Sequence, residues 1–216
     1  MEGGFHSFLA FSARRGMVEA SVSIETMVIE DIVQIGNPLL SRKAKRVAST
    51  DSRETRETIA NLIDSLRQND LIGMAAPQIG ASSRIFVTEI RRTRYRKLEP
   101  EPLRVYINPV IVWRSKREVE MYEGCGSVAY AKFFAPVRRP EKVTVEATDE
   151  HGKRFTVKAD GMLARVIQHE YDHLDGVTFI ERISDIRKAM SFEEYRKRIM
   201  TKPAAERKRG PDLSEG

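Results

Sequence analysis

The stretch Gln168-His169-Glu170-Tyr171-Asp172-His173 sets two histidines four residues apart with a glutamate beside the first. On a helix, positions i and i+4 lie on one face a turn apart, so both imidazoles can reach one metal ion. Glu170 would then point past the ion toward a water at its open coordination position, where a carboxylate can act as a base. A hydrolytic site of this kind asks for three protein ligands and one open position. The same spacing also occurs on ordinary charged helices that carry i,i+4 ion pairs. Here apolar Leu163, Val166, Ile167 and Leu174 flank the motif. The helix is therefore partly buried, and its histidines and glutamate need partners for their polar atoms.

Three sources of a third ligand are open. In a metzincin-type arrangement a histidine would stand six residues after the second one, but that position holds Phe179. In a thermolysin-type arrangement a glutamate follows on a later helix, a part for which Glu193 and Glu194 are available. The third source lies upstream: Cys125, the only cysteine, within Glu123-Gly124-Cys125-Gly126-Ser127. A single thiol cannot form an intramolecular disulfide, which points to a reducing compartment. A lone cysteine is commonly a small buried hydrophobe. This one is surrounded by glycines and a carboxylate rather than an apolar run, a setting that suits a ligand or a reactive thiol better.

Three ordered blocks extend these observations. They are Leu71-Ile72-Gly73-Met74-Ala75-Ala76-Pro77-Gln78, Glu123 to Ser127, and Gln168 to His173. In this order they resemble the peptide deformylase patterns G-x-G-L-A-A-x-Q, E-G-C-L-S and Q-H-E-x-D-H, and the resemblance runs from about Val33 to Ile183. It implies an α+β fold in which antiparallel β-sheets pack around a central helix carrying the H-E-x-x-H. It also implies hydrolysis of the N-formyl group of formylmethionyl nascent peptides, with release of formate. Cys125, His169 and His173 would hold the metal, Glu170 would be the acid/base, and the Gln78 side chain and Gly126 N–H would stabilise the oxyanion. Ile72, Gly73, Gly124, Met162 and Val166 would contact substrate. Fe²⁺ is the implied native ion, with Zn²⁺, Ni²⁺ or Co²⁺ able to replace it; one thiolate with two imidazoles suits such ions.

Leu71, Met74 and Gly126 depart from those patterns, standing where the family has glycine, leucine and leucine. Met for Leu conserves volume. Leu71 puts a side chain where the family leaves room for substrate, and Gly126 is expected to loosen its loop. Two alternatives accompany the deformylase reading: a zinc peptidase with Glu193 or Glu194 as third ligand, and a non-catalytic binding protein whose entrance Leu71 closes.

The elements that must position these residues follow from pattern. The segment Glu54 to Gln68 repeats Ile59, Leu62, Ile63 and Leu66 at helical spacing, with Asp51 or Ser52 as its cap. Strands are expected over Arg84–Ile90, Leu103–Val112, Lys142–Thr148 and Arg154–Lys158, the last two joined by a turn at Asp149-Glu150-His151-Gly152. Asp160 is expected to cap the H-E-x-x-H helix and Gly176 to end it. Short helical patterns over Ser184–Ala189 and Ser191–Met200 would place Glu193 and Glu194 in a first turn capped by Ser191. His6 reads as a surface residue and His151 as a turn residue, neither as a ligand.

At 216 residues the chain suits one domain with tails. Residues 1–27 read as an extension that is disordered or precedes the working start, 28–200 as the catalytic domain, and 201–216 as a disordered basic tail. The net charge of +6 is compatible with an anionic partner such as the ribosome, reached through that tail. Aromatics are not interleaved with the basic residues as in single-strand binders, so no DNA is expected. No apolar run approaches the roughly 20 residues of a membrane span. A bacterial cytoplasm, or an organellar matrix or stroma, is the expected location.

Overall fold

The computed structural model describes residues 32–92 and 98–201. The extension 1–27, the centre of the charged loop after Ile90 and the basic tail from residue 202 lie outside the described residues.

Helix α1 (Arg53–Gln68) begins where the Ser52 side chain accepts a hydrogen bond from the Thr55 N–H, and it buries Ile59, Leu62 and Leu66. Five antiparallel strands follow in one sheet, spatial order β1-β2-β3-β6-β7. They are β1 (Gly73–Ala75), β2 (Ile85–Ile90), β3 (Glu101–Arg114), β6 (Lys142–Thr148) and β7 (Arg154–Asp160). Alternation along a strand sends successive side chains to opposite faces. Ile85, Val87, Val105, Ile107 and Met74 accordingly join α1 in one apolar cluster. Phe86, Tyr106, Ala75 and Val145 join Ala164, Ile167 and Leu174 of helix α2 (Gly161–Leu174) in another. The sheet is thus held between α1 and α2.

The opposite side of α2 meets a three-stranded sheet of order β4-β5-β8, built from β4 (Glu118–Glu123), β5 (Phe133–Pro140) and β8 (Met190–Ser191). This sheet adds a third cluster of Cys125, Val128, Ala135, Val137 and Phe179. The architecture is α+β with antiparallel sheets around the motif-bearing helix, as the resemblance implied. Neither β4 nor β5 was expected. Four carboxylate and hydroxyl-bearing residues in Glu118-Val119-Glu120-Met121-Tyr122-Glu123, and two prolines in β5 beyond the reach of β8, conceal the β4–β5 ladder.

Strand β3 runs beyond its expected limits and is interrupted near Asn108-Pro109. Pro109 cannot donate to the ladder, and Asn108 turns to φ +51 while its amide bridges both backbone groups of Val47. The β6–β7 turn forms as expected, with Gly152 at φ +78 and His151 exposed.

Helix α2 starts differently from expectation. Asp160 occupies the N-cap position but its side chain makes no capping hydrogen bond, because the residue is still paired with Lys142 in the β6–β7 ladder. Gly161, at φ +52, makes the change of direction instead. The other end matches: Gly176 at φ +75 donates to His173 O, and a Cβ there would lie 2.8 Å from backbone carbons of Ser41 and Arg42. After α2, the helical pattern expected over Ser184–Ala189 is a single turn at Ile186–Lys188 capped by Asp185. Ser191 caps helix α3 (Phe192–Tyr195) as expected. Among the described residues no helix is long and apolar enough to cross a membrane.

Candidate metal centre and active site

Helix α2 carries His169, Glu170 and His173 on its buried side, facing the loop that leaves β4. Cys125 sits on that loop, 3 % exposed, and its carbonyl accepts hydrogen bonds from the Val128 and Ala131 N–H groups, folding the chain back on itself. Ligand atoms of Cys125, His169 and His173 all lie within 4.8 Å of one another. Cys125 Sγ is 3.2 Å from His173 Nε2. The structure therefore brings the upstream thiol to the histidines. Glu193 and Glu194 are elsewhere, on α3, where Glu194 is engaged by Lys197 (3.2 Å) and Arg198 (2.8 Å). The thermolysin-type alternative loses its ligand.

The surroundings fit a divalent cation. His169 Nδ1 is fixed at 2.9 Å from Glu123 Oε2, which leaves its other nitrogen for the site. Burial lowers the His169 pKa, but Cys125 and Glu123 raise it more and hold it well above the usual histidine range. Burial first, then the charges of His169 and Arg139, hold His173 well below that range, and neutral imidazole is the form that ligates.

Glu170 is 3 % exposed, and its Oε2 has no hydrogen-bond partner among the described residues. Burial pushes its pKa up to about 7, a value suited to taking and returning a proton near neutrality. Its other oxygen explains Gly73. A Cβ on Gly73 would fall 2.5 Å from Glu170 Oε1 and 2.5 Å from Val166 Cγ1. Gly73→Ala is expected to displace Glu170 and lower kcat by about 100-fold while the protein keeps its metal, since shifts near 1 Å at a reacting group cost that much. Steady-state kinetics beside metal analysis of the variant checks this; an unchanged kcat would mean that Glu170 relaxes freely.

Gln78 lies 1 % exposed at the end of a turn that follows β1. Its side-chain oxygen accepts from the Ala75 N–H at 2.8 Å, which turns Nε2 toward Cys125 Sγ (3.5 Å) and Ser127 Oγ (3.4 Å). Gly126 adjoins Cys125, its carbonyl accepting from Gln34 Nε2 at 2.9 Å. The backbone that follows is strained: Ala129, Tyr130 and Ala131 all have φ between +49 and +58, each costing on the order of 1 kcal/mol. Gln34 accepts the Tyr130 N–H (3.3 Å) and Ile35 N–H bonds Ser127 O (2.8 Å), so the segment after Ile32 straps this loop in place.

The family model of polypeptide deformylases matches residues 29–189. The peptide deformylase of Natranaerobius thermophilus is 39% identical over 160 residues, covering 74% of this chain and 96% of that protein. The enzyme of Methylocella silvestris is 35% identical over 185 residues, 86% and 92% of the two chains. This chain belongs to the polypeptide deformylase family. Solved structures agree. The peptide deformylase of Synechococcus elongatus in complex with actinonin superposes with TM-score 0.65 at 36% identity, covering 73% of this chain and 82% of that one. The Met-Ala-Ser-bound class I type b peptide deformylase of Acinetobacter baumannii gives 0.66 at 28% identity, with 70% and 96% covered. The chain is accordingly a metal-dependent hydrolase of protein biosynthesis rather than a retired scaffold.

The other residues that the deformylase resemblance named are also placed. Val166 is buried beside Gly73, while Ile72 and Met162 are partly buried against the α2 cluster. A Cβ on Gly124 would strike the Phe134 ring at 2.6 Å, so this glycine is required by packing. What the sequence did not disclose is the buried charge network behind His169. Glu123 accepts two hydrogen bonds from Arg139 (2.7 and 3.0 Å) and one from Arg165 (2.9 Å), and Arg139 also reaches Asp172 at 2.6 Å. Burial pushes the Glu123 carboxyl up, but the hydrogen bonds from His169 and Arg139 and the charge of Arg139 outweigh it and hold it ionised far below the usual carboxylate range.

Proposed function

We propose that the protein removes the formyl group from the N-terminal formylmethionine of newly made polypeptides, with Cys125, His169 and His173 as metal ligands and Glu170 as acid/base. The observation that carries this reading is the convergence of one thiol and two imidazoles within 4.8 Å beside a buried, unpartnered carboxylate oxygen. A divalent cation held there would supply positive charge that acidifies a water and polarises the formyl oxygen. Glu170 takes a proton from that water as its oxygen bonds to the formyl carbon. The Gln78 Nε2–H and the Gly126 N–H donate to the oxyanion that develops. The C–N bond then breaks, Glu170 returns the proton to the leaving nitrogen, and formate and a free N-terminal methionine result. Ile72, Met162 and Val166 offer the apolar wall for the methionine side chain, and Gly73 and Gly124 would meet the peptide through their backbone groups. The Met-Ala-Ser bound in the Acinetobacter baumannii structure supports a substrate of this class.

The thiolate and imidazole donors suit Fe²⁺, Zn²⁺, Ni²⁺ or Co²⁺ alike, and the deformylase resemblance favours Fe²⁺ as the native ion. The bacterial relatives support work in a bacterial cytoplasm, and the basic tail from Lys202 supports contact with the ribosome. The proposal is tested by comparing formyl-Met-Ala-Ser with acetyl-Met-Ala-Ser under anaerobic conditions with Fe²⁺. Turnover of the formyl peptide at least about 100-fold faster is expected, because an added methyl must be accommodated where the site is filled. Equal rates on both peptides would replace deformylation by a general deacylase.

A further inference from the structure

Gly126 poses a question that its backbone does not answer. Its φ lies outside the left-handed region, so nothing in the main chain calls for glycine there. Space does. A Cβ on Gly126 would lie 3.2 Å from Leu71 Cδ1 and 3.4 Å from Ile32 Cδ1. Leu71 in turn packs with Ile32, Leu66 and Met74 in the α1 cluster, its N–H bonded to Leu66 O at 2.9 Å and its carbonyl accepting from Arg91 Nη2 at 3.3 Å. Leu71, expected at the substrate entrance, lies against the Gly126 loop. Gly126, expected to loosen that loop, is held from more than one side. Its carbonyl is held by Gln34 and the next carbonyl by Ile35, and Leu71 and Ile32 crowd the place of a Cβ.

We infer that Leu71 is a positioning residue for the deformylation reaction: its side chain fills the volume that a side chain at position 126 would occupy and holds the Gly126 N–H at the oxyanion. The two departures from the family's patterns, a side chain gained at 71 and one absent at 126, are then a single exchange of volume across one contact. This inference rests on the proposed deformylation and refines how its oxyanion donor is held.

The test is a double-mutant cycle on the full, metal-loaded chain, with Leu71→Ala, Gly126→Leu and the double variant assayed on formyl-Met-Ala-Ser. Leu71→Ala is expected to lower kcat about 10-fold with KM nearly unchanged, since a partly displaced oxyanion donor weakens the transition state more than the bound substrate. Gly126→Leu overpacks the contact and lowers both kcat and melting temperature. Adding Leu71→Ala to Gly126→Leu is expected to recover about 10-fold in kcat and to restore the melting temperature, a reversal of sign that independent sites cannot show. Multiplicative effects of the two changes, or a Leu71→Ala variant altered only in KM, would overturn the inference while leaving deformylation intact. A parent chain that holds metal but releases no formate would instead overturn the proposed function, and this inference with it.

Discussion

Glu170→Gln is expected to bind one divalent ion per chain as the parent does, and to lose about 1,000-fold in kcat, within the range that a positioned general acid/base supplies. The substitution keeps the size and shape of a side chain that is 3 % exposed and closely confined by Gly73 and Val166. It leaves Cys125, His169 and His173 untouched. What it removes is the ability to accept a proton at an oxygen that no other described group occupies. KM should change little, because the carboxylate works on the reacting proton rather than on the peptide. Metal analysis and steady-state kinetics on the same preparation check both halves of the expectation. Turnover near the parental rate by a metal-replete variant would remove Glu170 from the mechanism.

Arg139→Met should be the most destabilising single change at the site. Arg139 is 5 % exposed and joins Glu123 on β4 to Asp172 on α2, so the second sheet and the central helix share it. Methionine fills much of the volume but leaves two buried carboxylates short of a partner. Breaking a buried ion pair in this way costs about 3–5 kcal/mol. Arg165 still reaches Glu123 and Arg182 still reaches Asp172, which favours the lower end. For a chain of this size a loss of about 3–5 kcal/mol corresponds to a fall of about 6–20 °C in melting temperature. Because Glu123 also holds the His169 ring, metal affinity should fall about 10-fold or more. Arg187→Met, which breaks an exposed pair with Asp185, provides the contrast and should change neither quantity measurably. Calorimetry and metal titration check the pair of variants; equal behaviour would mean that the buried network is dispensable.

How much of this was legible in the sequence depends on how local each feature is. The pairing of His169 with His173 follows from helical geometry, and the period of Ile59, Leu62 and Leu66 gives α1 with its Ser52 cap. The β6–β7 hairpin is legible because its turn and its alternation lie within one stretch. Cys125 is 44 positions before His169; its glycine-rich setting favoured it over Glu193 and Glu194 without excluding them, and the ordered blocks of the family singled it out. Strands β4 and β5 were hidden because their stability comes from each other and from α2 rather than from apolar alternation. The roles of Arg139 and Arg165 were equally hidden, since a buried arginine carries no local mark that separates it from the many exposed ones in a basic chain. Asp160 shows the opposite failure: a good capping residue by type, it is held in a ladder that local pattern cannot see. Leu71 and Gly126 were visible as departures, and their contact was not, because 55 residues separate two side-chain volumes that meet only in the fold.

The central claim is that Cys125 completes a metal site that hydrolyses N-formyl peptides. The most direct measurement is formate release from formyl-Met-Ala-Ser by the chain purified anaerobically with Fe²⁺, with Cys125→Ser prepared alongside and the metal content of both determined. Steady formate release by the parent is expected, and from the variant a loss of bound metal together with loss of release. Release by Cys125→Ser at the parental rate, or none from a parent that holds its metal, would contradict it.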